Sequence, residues 1–372
     1  MRVLVTGGGT GGHINPALAI ASIVQSHDKD AEILYAGTPF GMEAKLVPQA
    51  NYNFETIKVT GFQRKLTLKN IGRNIKTLAY LTTAGHRAKE IISNFKPDIV
   101  IGTGGYVCGP VVQKAVQMGI PTAIHEQNAF PGMTNKILSK QVDKVMLTVE
   151  EAMDYFDKSI DYVVTGLPVR SQLVNKSKKQ ARKELGFNDN FTILSFGGSL
   201  GAGCINDTMA EVIKWSRKER LKINHIHGYG GMGRESFPKA MKDANINLIG
   251  DGVRITEYIN DMDTCLSACD LVICRSGAST LAELEAVGRA SILIPSPNVA
   301  GNHQYYNAMV LGKAGASIVV EQKDVTPQKI IGYIEDLYKN PNKVEEMSIK
   351  AKSCCITDTN ERIWNTIKSV VR

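Results

Sequence analysis

No apolar run in this chain approaches the roughly 20 residues that a membrane-crossing helix needs, so a spanning segment is not expected. Nor does the start have the basic, apolar, small-residue order of a secretory leader: Met1-Arg2-Val3-Leu4-Val5 runs straight into glycines. A cytosolic chain is the expectation. Cysteine supplies neither staples nor metal ligands, for the seven residues are odd in number. Cys354 and Cys355 are adjacent, and Cys265-x3-Cys269 lacks a second Cys/His pair, so reduced thiols and no metal are expected. Acidic residues are missing altogether between Lys58 and Lys89.

That gap holds eight Lys/Arg, interleaved with Phe62, Leu66, Leu68, Ile71, Ile75, Leu78 and Leu81. From Ile71 to Leu81 the apolar residues recur at helical spacing, with Arg73 and Lys76 between them. Such a helix fits an anionic membrane surface, each exposed cation contributing about 1 kcal/mol, or equally the face of its own domain. An RNA groove fits less well, because aromatic stacking platforms are missing. The net charge of +8 points the same way, to a nucleic-acid, anionic-lipid or polyphosphate partner. At 372 residues, 43% hydrophobic and 22% charged, the chain has the composition of a globular protein with two sizeable cores.

The most informative stretch is Asp270 to Gly288. Its first five residues read as a short buried strand, and Ser276-Gly277-Ala278-Ser279-Thr280 opens a helix that Gly288 stops. Small residues leave the N–H groups of the first helical turn uncovered, which with the positive helix end suits a phosphate. Glu283 falls one to two turns further on, placed to accept hydrogen bonds from a pair of ribose hydroxyls. An ordinary capped turn would look similar if it stood alone.

It does not stand alone. Strand Val3–Thr6 feeds Gly7-Gly8-Gly9-Thr10-Gly11-Gly12-His13 and then a periodic helix, so Gly7, Gly9 and Gly12 satisfy a dinucleotide fingerprint. A nicotinamide enzyme also needs an acid closing the second strand. Here Glu32–Ala36 ends in Gly37-Thr38-Pro39, which weakens that rival. Strand Asp98–Ile101 leads to Gly102-Thr103-Gly104-Gly105-Tyr106 and a helix begun at Pro110. Strand Pro121–Ile124 runs out into His125-Glu126-Gln127-Asn128, where open α/β sheets place ligands.

Gly166-Leu167-Pro168-Val169-Arg170 reads as a hinge, after which the pattern repeats. Strand Thr192–Phe196 feeds Gly197-Gly198-Ser199-Leu200-Gly201-Ala202 and a helix, and strands alternate with helices to Val320. Two doubly wound α/β domains are expected, 1–166 and 167–355, their carboxyl-end loops facing across a cleft. The amphipathic segment around Ile363, Trp364 and Ile367, within 356–372, is expected to pack back on the first domain. Gln304, in a polar loop opening another helix, can donate to and accept from sugar hydroxyls.

Taken together, Gly8-Gly9-Thr10-Gly11-Gly12-His13, His125-Glu126-Gln127-Asn128, Gly197-Gly198-Ser199-x-Gly201-Ala202, Arg275-Ser276-Gly277-Ala278 and Gln304-Tyr305-x-Asn307-Ala308 resemble the MurG family. These are family 28 glycosyltransferases that convert undecaprenyl-linked muramoyl-pentapeptide, lipid I, into lipid II. The five motifs keep the family's order over residues 8 to 308. One departure is Leu167, where the family often has Asn in the hinge.

The resemblance implies a GT-B fold and an inverting β-1,4 transfer from UDP-N-acetylglucosamine to lipid I, without a cofactor. It implies that Glu283 holds the uridine ribose and the backbone at Ile259 the uracil. Ser199, Arg170 and the turn Ala278-Ser279-Thr280-Leu281, with Ala282 behind it, would bind the diphosphate. Gln304 and Asn128 would read the sugar. Thr10, Gly11 and Gly12 would complete the site beside the acceptor. The implied setting is the cytoplasmic face of the bacterial cell membrane, held peripherally, in peptidoglycan synthesis and the company of other cell-wall proteins.

The residue chemistry is compatible with that. Helix N-termini and Arg170 can stabilise departing UDP without a metal. Asp261-Met262-Asp263 has the spacing of a metal-binding D-x-D but sits at a helix start, so N-capping is expected. Direct displacement needs a base at the acceptor hydroxyl. His13 is the first candidate, with His125 and Glu126 behind it; a helix-start role bonding backbone is the alternative for His13. A transferase acting on diacylglycerol, a sugar-nucleotide epimerase and a non-catalytic UDP-sugar-binding adaptor stay open on the same pattern.

Overall fold

Runs of apolar residues with no polar alternation, such as Val3-Leu4-Val5 and Leu271-Val272-Ile273-Cys274, are what strands of a sheet covered on both faces require. The computed structural model, which describes residues 1–59, 83–169 and 176–371, contains two such sheets, one in each of two compact units. The first unit comprises Met1–Pro168 with Ile356–Arg372, and the second Val169–Cys355. Residues 60–82, the greater part of the basic stretch, and 170–175, with Arg170, lie outside the described residues.

In the first unit the order is β1 (Arg2–Thr6), α1 (Gly11–His27), β2 (Glu32–Gly37), α2 (Glu43–Gln49), β3 (Asn53–Thr56) and α3 (described over 83–95). Then come β4 (Ile99–Gly102), α4 (Cys108–Gln117), β5 (Thr122–Glu126), α5 (Met133–Leu138), β6 (Lys144–Leu147) and β7 (Tyr162–Val164). The sheet is parallel, in the order β3-β2-β1-β4-β5-β6-β7. Side chains of β1 alternate between two cores: Leu4 joins the one with Val111 and Val112, while Val3 and Val5 join Ile20 and Val24 of α1. The C-terminal helix Thr359–Val370 closes that second core with the buried Ile363 and Ile367. At its edge Trp364 stacks on His27 at 5.0 Å, and His27 Nε2 lies 3.0 Å from Glu361 Oε1.

The second unit runs α6 (Lys178–Glu184), β8 (Phe191–Phe196), α7 (Gly203–Lys218), β9 (Ile223–Gly228), α8 (Ser236–Asp243), β10 (Ile249–Gly250), β11 (Val253–Thr256) and α9 (Met262–Ala268). It continues with β12 (Leu271–Cys274), α10 (Ala278–Val287), β13 (Ala290–Leu293), α11 (His303–Lys313), β14 (Ser317–Val319), α12 (Pro327–Lys339) and α13 (Pro341–Ser353). Its sheet is ordered β10-β11-β9-β8-β12-β13-β14, parallel except for the β10–β11 pair. Two of the expected boundaries shift. The helix expected from Pro110 begins at Cys108, and the strand expected to end at Ile124 continues through Glu126.

Two histidines of β9 are fully buried. His225 Nε2 lies 2.7 Å from Ser216 Oγ, and His227 Nδ1 lies 2.8 Å from Ser195 Oγ. Burial holds both at about 3, against 6.5 for an open imidazole. The unfolded chain therefore binds more protons between those values, so stability is complete above pH 6.5 and falls as pH drops towards 3. Between pH 6.5 and 5 the loss should be about 2 kcal/mol per histidine. Denaturant unfolding across that window checks this, and His227→Leu should remove about half of the slope; a pH-independent midpoint contradicts it.

Candidate functional site

In the second unit the chain leaves β8 through α7 towards β9 on one side and later returns to lay β12 on the other. The loops after β8 and β12 therefore flank the topological switch point, where open α/β sheets receive ligands. The second of these loops is Arg275-Ser276-Gly277. Helix α10 begins its own bonding only when Leu281 N–H donates to the Gly277 carbonyl, and the Gly277 cap supplies no side chain. The N–H groups of Ala278, Ser279 and Thr280 thus lack an intrahelical acceptor and project from the positive end of the helix.

The loop is held from behind. Ser276 Oγ donates to the Gln304 carbonyl at 2.7 Å, and Asn307 Nδ2 donates to the Ser276 carbonyl at 3.2 Å. Gln304 Oε1 accepts from Ser296 N–H at 2.9 Å, which turns its NH2 end away from that contact. Arg275 is stapled rather than mobile: Nη1 donates to the Ile294 and Pro295 carbonyls at 3.0 and 3.1 Å, Nη2 to Gln322 Oε1 at 2.6 Å. Ser199 is exposed on the β8 loop. Glu283 is half-buried on α10, near enough to Cys274 for its charge to add to the effect of burial in raising that thiol. Ile259 packs its side chain against Gly228, where a Cβ would lie 3.2 Å away.

Leu281 N–H is bonded within the helix, to the Gly277 carbonyl, and the side chains of Leu281 and Ala282 are buried, at 5% and 7% exposure. The amides left without an intrahelical acceptor are therefore those of Ala278, Ser279 and Thr280. The expected capping role of Asp261 needs correction: it occupies the N-cap position of α9 but makes no capping bond. Its carboxylate instead grips Arg254, Oδ2 at 2.7 Å from Nη1 and Oδ1 at 2.9 Å from Nη2, because a bidentate guanidinium outbids a single amide.

The first unit has the same arrangement after β1 and β4, with a different electrical lining. The two glycine loops interlock: Gly8 N–H donates to the Gly104 carbonyl at 3.2 Å, and a Cβ at Gly105 would collide with the backbone of Gly8. Behind them sits Glu43, fully buried, an acid that reading the second strand did not find because it lies six residues beyond that strand, at the start of α2. Its Oε1 accepts from Thr38 N–H and Oγ1 at 3.0 and 2.6 Å, and its Oε2 accepts from Gly9 N–H at 3.3 Å. A carboxylate thus already occupies one of the amides that a dinucleotide phosphate would use. Thr10, Gly11 and Gly12 remain partly or fully exposed at the N-terminus of α1, with His13 next to them.

His125 and Glu126 are not open to a substrate. Both are part of β5, paired with Met146 and Leu147, and both are fully buried. Burial also lowers the His125 pKa. Glu126 Oε1 accepts from Asn128 N–H and Nδ2 at 2.9 and 3.1 Å, and Oε2 from Gly132 N–H and Asn135 Nδ2 at 3.0 and 2.8 Å. With four donors converging on it, this carboxylate braces the loop 127–132 instead of accepting a substrate proton. Asn128 is the half-exposed member of the motif. His13 is half-exposed and bonds a side chain, Gln127 Oε1 at 3.0 Å from its Nδ1, not backbone through its ring.

These are the architecture and loops of a sugar-nucleotide transferase, and the family models agree. The glycosyltransferase family 28 N-terminal domain matches residues 3–147 and its C-terminal domain residues 192–363. A protein of Acetivibrio thermocellus named UDP-N-acetylglucosamine–N-acetylmuramyl-(pentapeptide) pyrophosphoryl-undecaprenol N-acetylglucosamine transferase is 45% identical, over 100% of this chain and 99% of that one. The protein of that name from Halalkalibacterium halodurans is 39% identical, over 100% of both chains. The crystal structure of Acinetobacter baumannii MurG superposes with a TM-score of 0.79 at 29% identity, covering 99% of each chain. A UDP-GlcNAc 2-epimerase from Neisseria meningitidis shares the fold, with a TM-score of 0.68 at 16% identity over 99% of this chain and 100% of that one. The chain belongs to the MurG family of N-acetylglucosamine transferases.

If Glu126 is a brace, Glu126→Gln places an NH2 against donors and should destabilise the protein by roughly 1–3 kcal/mol or more. Denaturant unfolding measures it. Unchanged stability would contradict the bracing role.

Proposed function

We propose that this chain transfers N-acetylglucosamine from UDP-N-acetylglucosamine to the 4-hydroxyl of the muramoyl sugar of lipid I, with inversion, forming a β-1,4 link. Membership of the family supports the reaction class. The observation that carries the donor assignment is the open N-terminus of α10 at the switch point of the second sheet. The diphosphate rests on the N–H groups of Ala278, Ser279 and Thr280, assisted by Ser199 and, by resemblance, Arg170. Glu283 takes the ribose hydroxyls, the backbone at Ile259 the uracil, and Gln304 the sugar through its NH2 end. Asn128, Thr10, Gly11 and Gly12 of the first unit serve the sugar and the acceptor.

As the acceptor oxygen attacks the anomeric carbon, His13 takes its proton while the bond to the diphosphate breaks. The electron pair leaves with UDP, whose growing charge meets preoriented amide dipoles. No step in this account uses a metal or cofactor. The site of action is the cytoplasmic face of the cell membrane, reached peripherally through the basic stretch Lys58–Lys89, in the pathway of peptidoglycan assembly and alongside other cell-wall enzymes. Among the described residues, no helix is long and apolar enough to cross a membrane.

Transfer of labelled N-acetylglucosamine to a lipid I analogue in anionic vesicles tests both parts. Turnover should persist under chelation, and Glu283→Ala should raise the donor KM about tenfold or more, as loss of hydrogen bonds to a bound substrate does. The protein should sediment with those vesicles and not with neutral ones. Turnover that dies with chelator, an unchanged KM, or equal sedimentation with both vesicle types would each remove the corresponding part.

A further inference from the structure

The half-exposed His13 is the visible end of a hydrogen-bonded chain whose far end is a backbone carbonyl. His125 Nε2 lies 3.0 Å from the Gly166 carbonyl oxygen, which can only accept, so Nε2 carries the proton. Full burial favours the neutral ring, which leaves a lone pair on His125 Nδ1. Gln127 Nε2 lies 3.2 Å from that Nδ1 and 2.7 Å from the His125 carbonyl oxygen. Both are acceptors, so this end of the amide is the NH2 and the flipped amide is ruled out. The oxygen end, Gln127 Oε1, then faces His13 Nδ1 at 3.0 Å. Gln127 is only 3% exposed, so bulk water does not compete for these bonds. The His13 ring is also packed against Gly104, where a Cβ would come within 2.9 Å of its Cε1 and Nδ1, and φ there is +108°.

We propose that Gln127 is a positioning residue that holds the proton of neutral His13 on Nδ1 and so presents the Nε2 lone pair to the acceptor hydroxyl. The assignment rests on His13 being the base of the transfer proposed above. The hydroxyl proton moves to Nε2 as the oxygen–carbon bond forms and the carbon–diphosphate bond breaks; the resulting imidazolium later releases that proton to solvent. With the opposite tautomer Nε2 would already carry a proton and could accept none. The chain Gly166–His125–Gln127 thereby gives a purpose to two buried members of the motif that cannot touch substrate.

Nitrogen NMR of the histidine-labelled full chain reads the tautomer directly, with the His13 signals assigned by their loss in His13→Gln. The unaltered protein should show His13 protonated on Nδ1, and Gln127→Leu should move the population towards Nε2. The same variant should lower kcat roughly ten- to a hundredfold, the scale of impaired general-base catalysis, with the donor KM little changed. His13 found protonated on Nε2 in the unaltered neutral protein, or full kcat in Gln127→Leu, overturns the inference. Absence of transfer by the unaltered chain would instead sink the transferase reading, and the NMR arm would still decide the tautomer. That arm also needs no change at position 127, so misfolding of the variant cannot hide its result.

Discussion

An amide at the start of a helix has no partner in its own helix, and a fold must cover it, bond it or leave it for a ligand. Much of this chain is arranged around how that choice is made. At α10 the cap is glycine, the supporting bonds come from Gln304 and Asn307 behind the loop, and the N–H groups of the first turn stay open. At the first glycine loop the opposite happens in part, since the buried carboxylate of Glu43 reaches Gly9. Phosphate is drawn to uncovered dipoles and repelled by a carboxylate a few ångströms behind them. Two loops that look alike in sequence thus differ in the amides they leave uncovered.

The first unit spends its polar residues differently. In β5 and the loop after it, buried side chains satisfy one another: Glu126 takes four donors, and His125 and Gln127 bond each other. Such a network is costly to leave incomplete and rigid when complete. Its rigidity delivers two groups to the surface of the unit, Asn128 and the ring of His13. The buried members define how those two are presented.

The strand–glycine–helix repeat, the two sheets and the end of α10 at Gly288 were legible, because uninterrupted apolar runs and glycine stops are local signals. The same loops led to the expectation of a phosphate-bearing ligand, and the relatives are named for a UDP-linked donor sugar. Less visible was which polar residues face outward. His125 and Glu126 look like ligand-facing side chains if β5 ends at Ile124; the strand runs two residues longer and buries both. Asp261 shows the same limit, since Arg254 is seven residues away and claims a carboxylate that local rules would assign to a cap. Glu43 and the orientation of Gln127 depend on partners far along the chain, the latter on His13, 114 residues away. Those contacts exist only once the sheet has ordered its strands.

A nucleoside diphosphate should choose α10 over the first glycine loop. Hydrogen–deuterium exchange of the full chain with and without UDP measures it by peptide. Slowed exchange across 277–281, with the segment around Gly9 unchanged, is the result this account predicts. Protection of residues 7–12 with none at 277–281 would contradict it.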